Sequence, residues 1–140
     1  MSSTIPARLR SQVHSLDEGR CAYCQTPEEL AVTTFEIDHI VPVSAGCETV
    51  PDNLCLACLA YNRHKAARRS ALDPETGQIV PLYHPRDQEW SAHFAWGGDA
   101  TRIVGTTPTG RATVEVLRMN RPRMIRLRGL WVKMGHFPPD

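Results

Sequence analysis

Apolar side chains recur at helical spacing near the start of the chain. Leu9, Val13 and Leu16 fall on one stripe of residues 5–16, and Pro6 stands at an early position, where a helix tolerates the missing backbone amide. The pattern predicts a short amphipathic helix.

The pattern becomes typical of strands after residue 32. Residues 33–41 are rich in β-branched and aromatic side chains, and residues 53–57 form a second short apolar segment. Between them, residues 42–52 hold Gly, Ser and two prolines among few apolar residues, which indicates a loop. Residues 59–69 have helix-forming composition. The predicted order is strand, loop, strand, helix.

The second half of the chain begins irregularly. Residues 73–78 have a turn sequence, residues 81–85 look extended, and residues 100–105 indicate a short strand. Apolar residues at helical spacing then predict two helices, one from Thr107 to Asn120 and one that starts at Pro122. Four aromatic side chains are expected in the core rather than against nucleic-acid bases: Trp90, Phe94, Trp96 and Trp131.

Length and composition are those of a folded globular protein. The 140 residues suit one domain, and 41% hydrophobic with 22% charged residues argues against wholesale disorder. Residues 1–6 lack the charged and apolar regions of a secretory signal, and no run of about 18 apolar residues appears. We therefore expect a cytoplasmic protein that does not enter a membrane.

Basic residues are concentrated near the C-terminus. From residue 101 onward, eight arginine and lysine residues stand against two carboxylates, although the whole chain has a net charge of only +1. The first hundred residues are therefore net acidic. Such a basic segment favours an anionic polymer as partner, and a solvated helix face is the alternative interpretation.

The cysteines indicate metal ligands or free thiols rather than disulfides. Five cysteines, an odd number in a chain without an evident export signal, argue against a disulfide framework. Cys21 and Cys24, and likewise Cys55 and Cys58, have the two-residue spacing of a metal-binding knuckle. The count leaves both interpretations open.

Asp38 and His39 stand next to each other at the end of the first predicted strand. A carboxylate can hold a divalent cation, and an imidazole of near-neutral pKa can deprotonate water, as phosphodiester hydrolysis requires. Neighbouring side chains of a regular strand face opposite sides, so we expect a bent strand end if both serve one site. The dipeptide alone is a weak signal.

The spacing beyond this pair resembles that of the HNH endonuclease family. In that family, a His at the end of the first strand is followed by an Asn before the second strand and by an Asn or His on the helix behind it. Here Asn53, in Pro51-Asp-Asn-Leu, follows His39 by fourteen residues, and Asn62, in Tyr61-Asn-Arg-His-Lys, follows nine residues later. Several residue types and two spacings together are much more specific than one dipeptide.

The resemblance implies an α+β fold with a ββα-metal core, also termed a His-Me finger, an N-terminal helix, a cysteine knuckle and a helical C-terminal extension. It implies that Asp38 and Asn62 bind Mg²⁺ or another divalent cation, with His64 as an alternative ligand. His39 would be the general base, and Asn53 would hold the loop and orient His39. Phosphate contacts are expected from basic side chains: Arg63, Lys65, Arg68, Arg69, Arg123, Arg126 and Arg128.

Each of these site residues also has an ordinary structural interpretation. An Asp-His pair is often a turn with a solvent-facing carboxylate, Asn53 is a plausible turn or cap residue, and Asn62 could be an exposed helix position. Only the joint spacing favours a nuclease site.

The resemblance also implies a zinc site, with one departure from the family. Relatives with two cysteine pairs place the second pair at positions equivalent to 58 and 61, and position 61 is Tyr. Structural Zn²⁺ prefers four tetrahedral ligands, so Cys21, Cys24 and Cys58 would need a fourth, for which Cys55 stands out of register. Free, partly buried thiols are the alternative interpretation.

These features divide the chain into an HNH nuclease core at residues 1–72 and a basic extension at residues 73–140 that packs on it. The likeness to a bacterial subgroup of small HNH proteins continues into the extension. The implied reaction is hydrolysis of DNA phosphodiester bonds to 3′-hydroxyl and 5′-phosphate ends. A nucleic-acid-binding module with weak or no catalysis is the alternative. The sequence leaves the oligomeric state, the cleavage specificity and the choice between DNA and RNA open.

Overall fold

The computed structural model describes residues 5–31, 34–43, 46 and 48–139, so Cys47 and part of the first predicted strand lie outside the described residues. Within the described residues there are five α-helices: α1 (Ala7–Leu16), α2 (Leu59–Lys65), α3 (Trp90–His93), α4 (Pro108–Leu117) and α5 (Pro122–Lys133). Six short strands accompany them: β1 (Glu36–His39), β2 (Leu54–Ala57), β3 (Ser70–Leu72), β4 (Ile79–Pro81), β5 (Phe94–Gly97) and β6 (Arg102–Gly105).

The described strands form three separate antiparallel hairpins rather than one sheet. β1 pairs with β2, with Glu36 opposite Ala57 and His39 opposite Leu54. β3 pairs with β4, and β5 pairs with β6. Together with the helices between them, the hairpins give the mixed α+β architecture that the sequence predicted.

β2 is buried along its whole length. On the side of β2 that faces away from β1, the backbone of Leu56 is hydrogen-bonded. Its amide donates to Asp17 Oδ2 at 2.7 Å, and its carbonyl accepts from the Ala22 amide at 2.8 Å. Because these bonds satisfy the backbone of an edge strand, the end of α1 and the cysteine loop are fixed against the β1–β2 hairpin.

α2 is shorter than the sequence predicted. It begins after Cys58 and ends at Lys65, because Ala66 adopts a positive φ of 49°, a conformation that a helix cannot continue. The chain then turns into β3 instead of remaining helical to residue 69. The helix therefore offers only two turns to the hairpin beneath it.

The segment after α2 contains two hairpins besides the helices that the sequence predicted, and β6 lies within the short strand expected at residues 100–105. The β3–β4 hairpin spans the boundary expected between residues 72 and 73. The Arg111 guanidinium of α4 donates to both carboxylate oxygens of Asp73 in its turn, each at 3.0 Å. Strands of three residues show too little alternation to be recognised in a sequence.

α4 begins after Thr107, as predicted. The Thr107 hydroxyl accepts from the Gly110 amide at 3.0 Å and so caps the helix. Gly110 has no room for a Cβ, because the His93 carbonyl lies against its α-carbon. The helix ends at Leu117, earlier than expected, since Arg118 is left-handed at φ 54°.

Aromatic rings join the C-terminal elements into a core. Trp90 packs against Phe94 and Trp96 at centroid distances of 5.3 and 5.1 Å, and Trp131 packs against Phe137 at 5.7 Å. These contacts confirm that the tryptophans belong to the packing of the fold. No described helix is both long enough and apolar enough to cross a membrane.

Candidate functional site

Three thiols converge where the cysteine loop meets α2. Cys21 and Cys24 lie on a tight turn closed by a hydrogen bond from the Gln25 amide to the Cys21 carbonyl at 2.9 Å. Cys58 immediately precedes α2, and the three sulfur atoms lie within 4.8 Å of one another. We call these residues the thiol site.

The thiol site fits a tetrahedral metal. With Zn–S bonds of about 2.3 Å, two sulfur ligands of a tetrahedral zinc lie about 3.8 Å apart. The sulfur atoms of Cys24 and Cys58 are 3.8 Å apart. Burial raises the pKa of the Cys21 thiol, and hydrogen bonds to Cys21 and Cys24 raise that of Cys58. Burial also opposes ionisation of Cys24, but hydrogen bonds with Cys21, Cys58 and Thr26 lower the pKa of this thiol, so the three thiols favour one thiolate among them. The donor set is therefore suited to Zn²⁺.

Cys55 does not belong to the thiol site, so the four-cysteine set was wrong. Cys55 lies on β2 directly opposite Asp38, and its sulfur is 3.9 Å from Asp38 Oδ2. Burial raises the pKa of this thiol, and the Asp38 charge raises it further. The strand pairing directs Cys55 toward β1 rather than toward the knuckle.

Tyr61, at the position where the resemblance implies a fourth cysteine, is fully buried and has an arginine as its partner. Arg128 of α5 lies at 3.4 Å from the Tyr61 hydroxyl and also donates to the carbonyls of Thr101 and Met119 at 3.0 and 2.7 Å. Arg128 is itself 0% exposed, so its expected contact with phosphate is wrong. It instead ties the C-terminal segment to α2.

Asp38 is held in a buried network beside the thiol site. Its carboxylate accepts from the Tyr23 hydroxyl at 2.7 Å and from Lys65 Nζ at 3.2 and 3.3 Å. Burial raises the pKa of Asp38, and the Lys65 charge opposes that rise. Because Lys65 is only 2% exposed and also donates to the His39 carbonyl, the prediction that it faces substrate phosphate is wrong.

His39 faces a different partner from Asp38. Its Nε2 is hydrogen-bonded to Thr49 Oγ1 at 2.9 Å, whereas Asp38 contacts Tyr23 and Lys65. Opposite directions are expected for neighbours on a strand. Among the described residues, the link between the two is Lys65, which reaches the Asp38 side chain and the His39 backbone.

Asn53 fastens the loop that carries Thr49. Its Oδ1 accepts from the Val41 amide at 2.8 Å, and its Nδ2 donates to the carbonyls of Val41 and Glu48 at 2.9 and 3.1 Å. Three bonds from one buried amide fix the strand end after His39 and the residue before Thr49. Thr49 itself carried no signal in the sequence, because a single loop threonine is unremarkable there.

Asn62 lies beside Glu36, not beside Asp38. The Asn62 amide donates to Glu36 Oε1 at 2.9 Å on the exposed side of α2, and no hydrogen bond joins Asn62 to Asp38 among the described residues. Sequence reasoning missed Glu36, although strand alternation places residues 36 and 38 on one face of β1. His64 points elsewhere, since its Nδ1 is 3.1 Å from the Leu117 carbonyl.

The remaining basic candidates are exposed, and three of them border two separate grooves. Arg68 and Arg69 border a groove of about 290 Å³ that also includes Ile40 and Val41, directly after His39. Arg123 borders a separate groove next to Cys58. Arg63 on α2 and Arg126 on α5 are exposed as well. The first groove is adjacent to the strand end that carries His39.

Comparison with known proteins finds a match for one segment of the chain. No curated protein and no solved structure matches the chain. A protein-family model matches residues 21–68, which contain the thiol site, the β1–β2 hairpin and α2. The match confirms the resemblance seen in the motif spacing. The matching model is that of the HNH endonucleases, and the match covers about a third of the chain, residues 21–68.

Proposed function

We propose that this protein is a metal-dependent endonuclease that hydrolyses phosphodiester bonds in DNA. The family match implies nuclease-type activity on a nucleic acid. The observation that carries the finer proposal lies inside the match, where Asn53 and Thr49 hold the loop and the ring of His39. A general base requires a histidine whose ring is held in place, as the hydrogen bond to Thr49 holds that of His39.

His39 would accept a proton from the attacking water. With Nε2 engaged by Thr49, the other ring nitrogen, Nδ1, has no hydrogen-bond partner among the described residues. If Nε2 carries the proton and donates it to Thr49, Nδ1 has the lone pair that general-base catalysis needs. Asn53 would act indirectly, because it fixes the residue that precedes Thr49.

Hard oxygen ligands for a divalent cation are available between β1 and α2. Asp38 and Asn62 are the proposed ligands, and Glu36 adds a second carboxylate that already contacts Asn62. Carboxylate and amide oxygens suit Mg²⁺ or Mn²⁺. When bound, such a cation stabilises the charge that develops on the phosphate. In this proposal the β1–β2 hairpin and α2 form a ββα-metal core.

The thiol site would have a structural role. The site offers three soft sulfur ligands that suit Zn²⁺, from Cys21, Cys24 and Cys58. The ligands of the proposed nuclease site are hard oxygen atoms, which prefer other cations. We propose that zinc here fixes the cysteine loop to α2. Free thiols remain the competing interpretation, which metal analysis of the purified protein distinguishes.

The groove beside His39 is the proposed path of the DNA strand. Arg68 and Arg69 on its rim provide positive charge next to the strand end, and Arg63 is exposed on α2. Basic side chains that neutralise phosphates supply most of the nonspecific affinity for DNA. Arg123 and Arg126 of α5 would add to the basic field at a second place.

A binding module without catalysis is the second candidate. The buried contact between Asp38 and Lys65 favours it, since an ammonium already neutralises the carboxylate that the mechanism assigns to a cation. Supercoiled plasmid incubated with the protein in Mg²⁺, Mn²⁺ or EDTA separates the candidates. We expect nicked and linear DNA only with the metals. A gel-shift without nicking in any of the three conditions would support the binding module.

A further inference from the structure

Tyr23 stands in the cysteine knuckle but contacts the proposed nuclease site. It lies between Cys21 and Cys24, two cysteines of the thiol site, and its hydroxyl donates to Asp38 Oδ2 at 2.7 Å. Tyr23 and Asp38 are 1% and 2% exposed. One side chain therefore spans from the thiol site to the carboxylate of β1.

The ring of Tyr23 has little freedom to move. The carbonyl of Tyr23 accepts from Trp90 Nε1 at 2.7 Å, and the amide of the preceding Ala22 donates to Leu56 at 2.8 Å. The edge of the ring packs against Tyr83, with ring centroids 6.4 Å apart. The position of the hydroxyl thus follows the position of the cysteine loop.

The contact continues beyond Asp38. Lys65 Nζ binds the Asp38 carboxylate and the carbonyl of His39, so an uninterrupted series of hydrogen bonds leads from the knuckle to the backbone of the proposed base. All three linking side chains are buried, and water does not compete for their bonds. Buried networks of this kind hold their members in one arrangement.

We propose that Tyr23 is a positioning residue through which the metal at the thiol site sets the orientation of Asp38. Zinc on Cys21 and Cys24 would fix the loop, the loop would fix the Tyr23 ring, and the hydroxyl would aim the carboxylate toward α2. Loss of zinc would release the same hydroxyl. The inference rests on the proposed function, because Asp38 matters only as a ligand of the catalytic cation.

The test compares wild type and Tyr23→Phe, each loaded with zinc and freed of it by chelation and dialysis. The readouts are Mn²⁺ affinity, from the electron paramagnetic resonance signal of free Mn²⁺, zinc content and plasmid nicking. Mn²⁺ prefers oxygen to thiolate ligands and so reports the nuclease site. The matched control is Tyr83→Phe, whose hydroxyl donates to the Gln88 carbonyl instead.

We expect Tyr23→Phe to retain zinc but to bind Mn²⁺ about ten- to a hundredfold more weakly, as is typical when a partner of a metal ligand is removed. In wild type, zinc removal should weaken Mn²⁺ binding by a similar factor. In Tyr23→Phe, zinc removal should weaken Mn²⁺ binding only slightly further. Tyr83→Phe should match wild type. The wild-type comparison with and without zinc needs no substitution and stands even if Tyr23→Phe does not fold.

Independent, additive effects of the substitution and of zinc removal would overturn the coupling, as would unchanged Mn²⁺ affinity or a wild type that holds no zinc. A wild type that binds Mn²⁺ without nicking DNA would contradict the proposed function, while its affinities would still decide the role of Tyr23. A wild type without a Mn²⁺ site would contradict both.

Discussion

Two arginines of α5, five positions apart, have opposite surroundings. Arg123 is exposed, whereas Arg128 is 0% exposed and donates to the carbonyls of Thr101 and Met119 and to the Tyr61 hydroxyl. The basic composition of the segment therefore combines surface charge with a buried structural cation. Charge counted along a sequence does not separate these two uses.

Arg128→Gln should destabilise the protein, because the shorter neutral side chain leaves buried carbonyls without donors. We expect the free energy of unfolding to fall by at least about 2 kcal/mol, measured by urea denaturation. Arg123→Gln is the matched control and should change it by less than about 0.5 kcal/mol. Equal stability of the two variants would show that the Arg128 network contributes nothing.

At the scale of elements, Cys58 is the residue that brings the start of α2 against the cysteine loop, because its sulfur lies next to those of Cys21 and Cys24. Cys58→Ser removes one of three converging sulfur atoms, whereas Cys55→Ser changes an equally small buried group that contacts Asp38. The two cysteines differ in partner rather than in chemistry. They form a natural pair for testing the thiol site.

Cys58→Ser should lose most of its zinc and lower Tm by about 5 °C or more, since a structural metal contributes to folding. Zinc content by elemental analysis and Tm by circular dichroism are the measurements. Cys55→Ser should keep its zinc. If Cys55→Ser also lost zinc, or if wild type contained none, the assignment of three ligands would be wrong.

How much the sequence could predict varies from element to element. The strand, loop, strand, helix order around Asn53 was predictable, because β-branched runs, prolines and motif spacing agree there. Of the strands after residue 70, β6 was expected at residues 100–105, whereas β3, β4 and β5 were not, since strands of three or four residues show little alternation. The contacts of Lys65 and Glu36 were also hidden, because a sequence shows which residue types share an element but not which of them is buried.

At the scale of the whole molecule, three of the arginines proposed to contact DNA border two separate grooves. Arg68 and Arg69 border the groove next to the strand end of His39, whereas Arg123 borders the groove next to Cys58. A DNA strand that reaches His39 passes the first groove directly. The arginine at the second groove would act through the longer-range field, which salt screens.

Replacing Arg68 and Arg69 together with Gln should weaken DNA binding and reduce the salt dependence of affinity by about one unit of slope per lost phosphate contact. Fluorescence anisotropy at several salt concentrations measures both. The matched pair is Arg123→Gln with Arg126→Gln, for which we expect a smaller change. A larger effect of the α5 pair would move the DNA path away from the groove beside His39.

His39 carries the central claim, and its replacement tests that claim most directly. In the plasmid assay with Mg²⁺ or Mn²⁺, the nicking rate of His39→Ala should be lower than that of wild type by a factor of about a hundred or more. Proton transfer is lost in this variant, while the phosphate contacts remain. DNA affinity should stay close to that of wild type, and His136→Ala, which changes an exposed histidine, should cut normally. Undiminished cleavage by a folded His39→Ala protein would contradict the account.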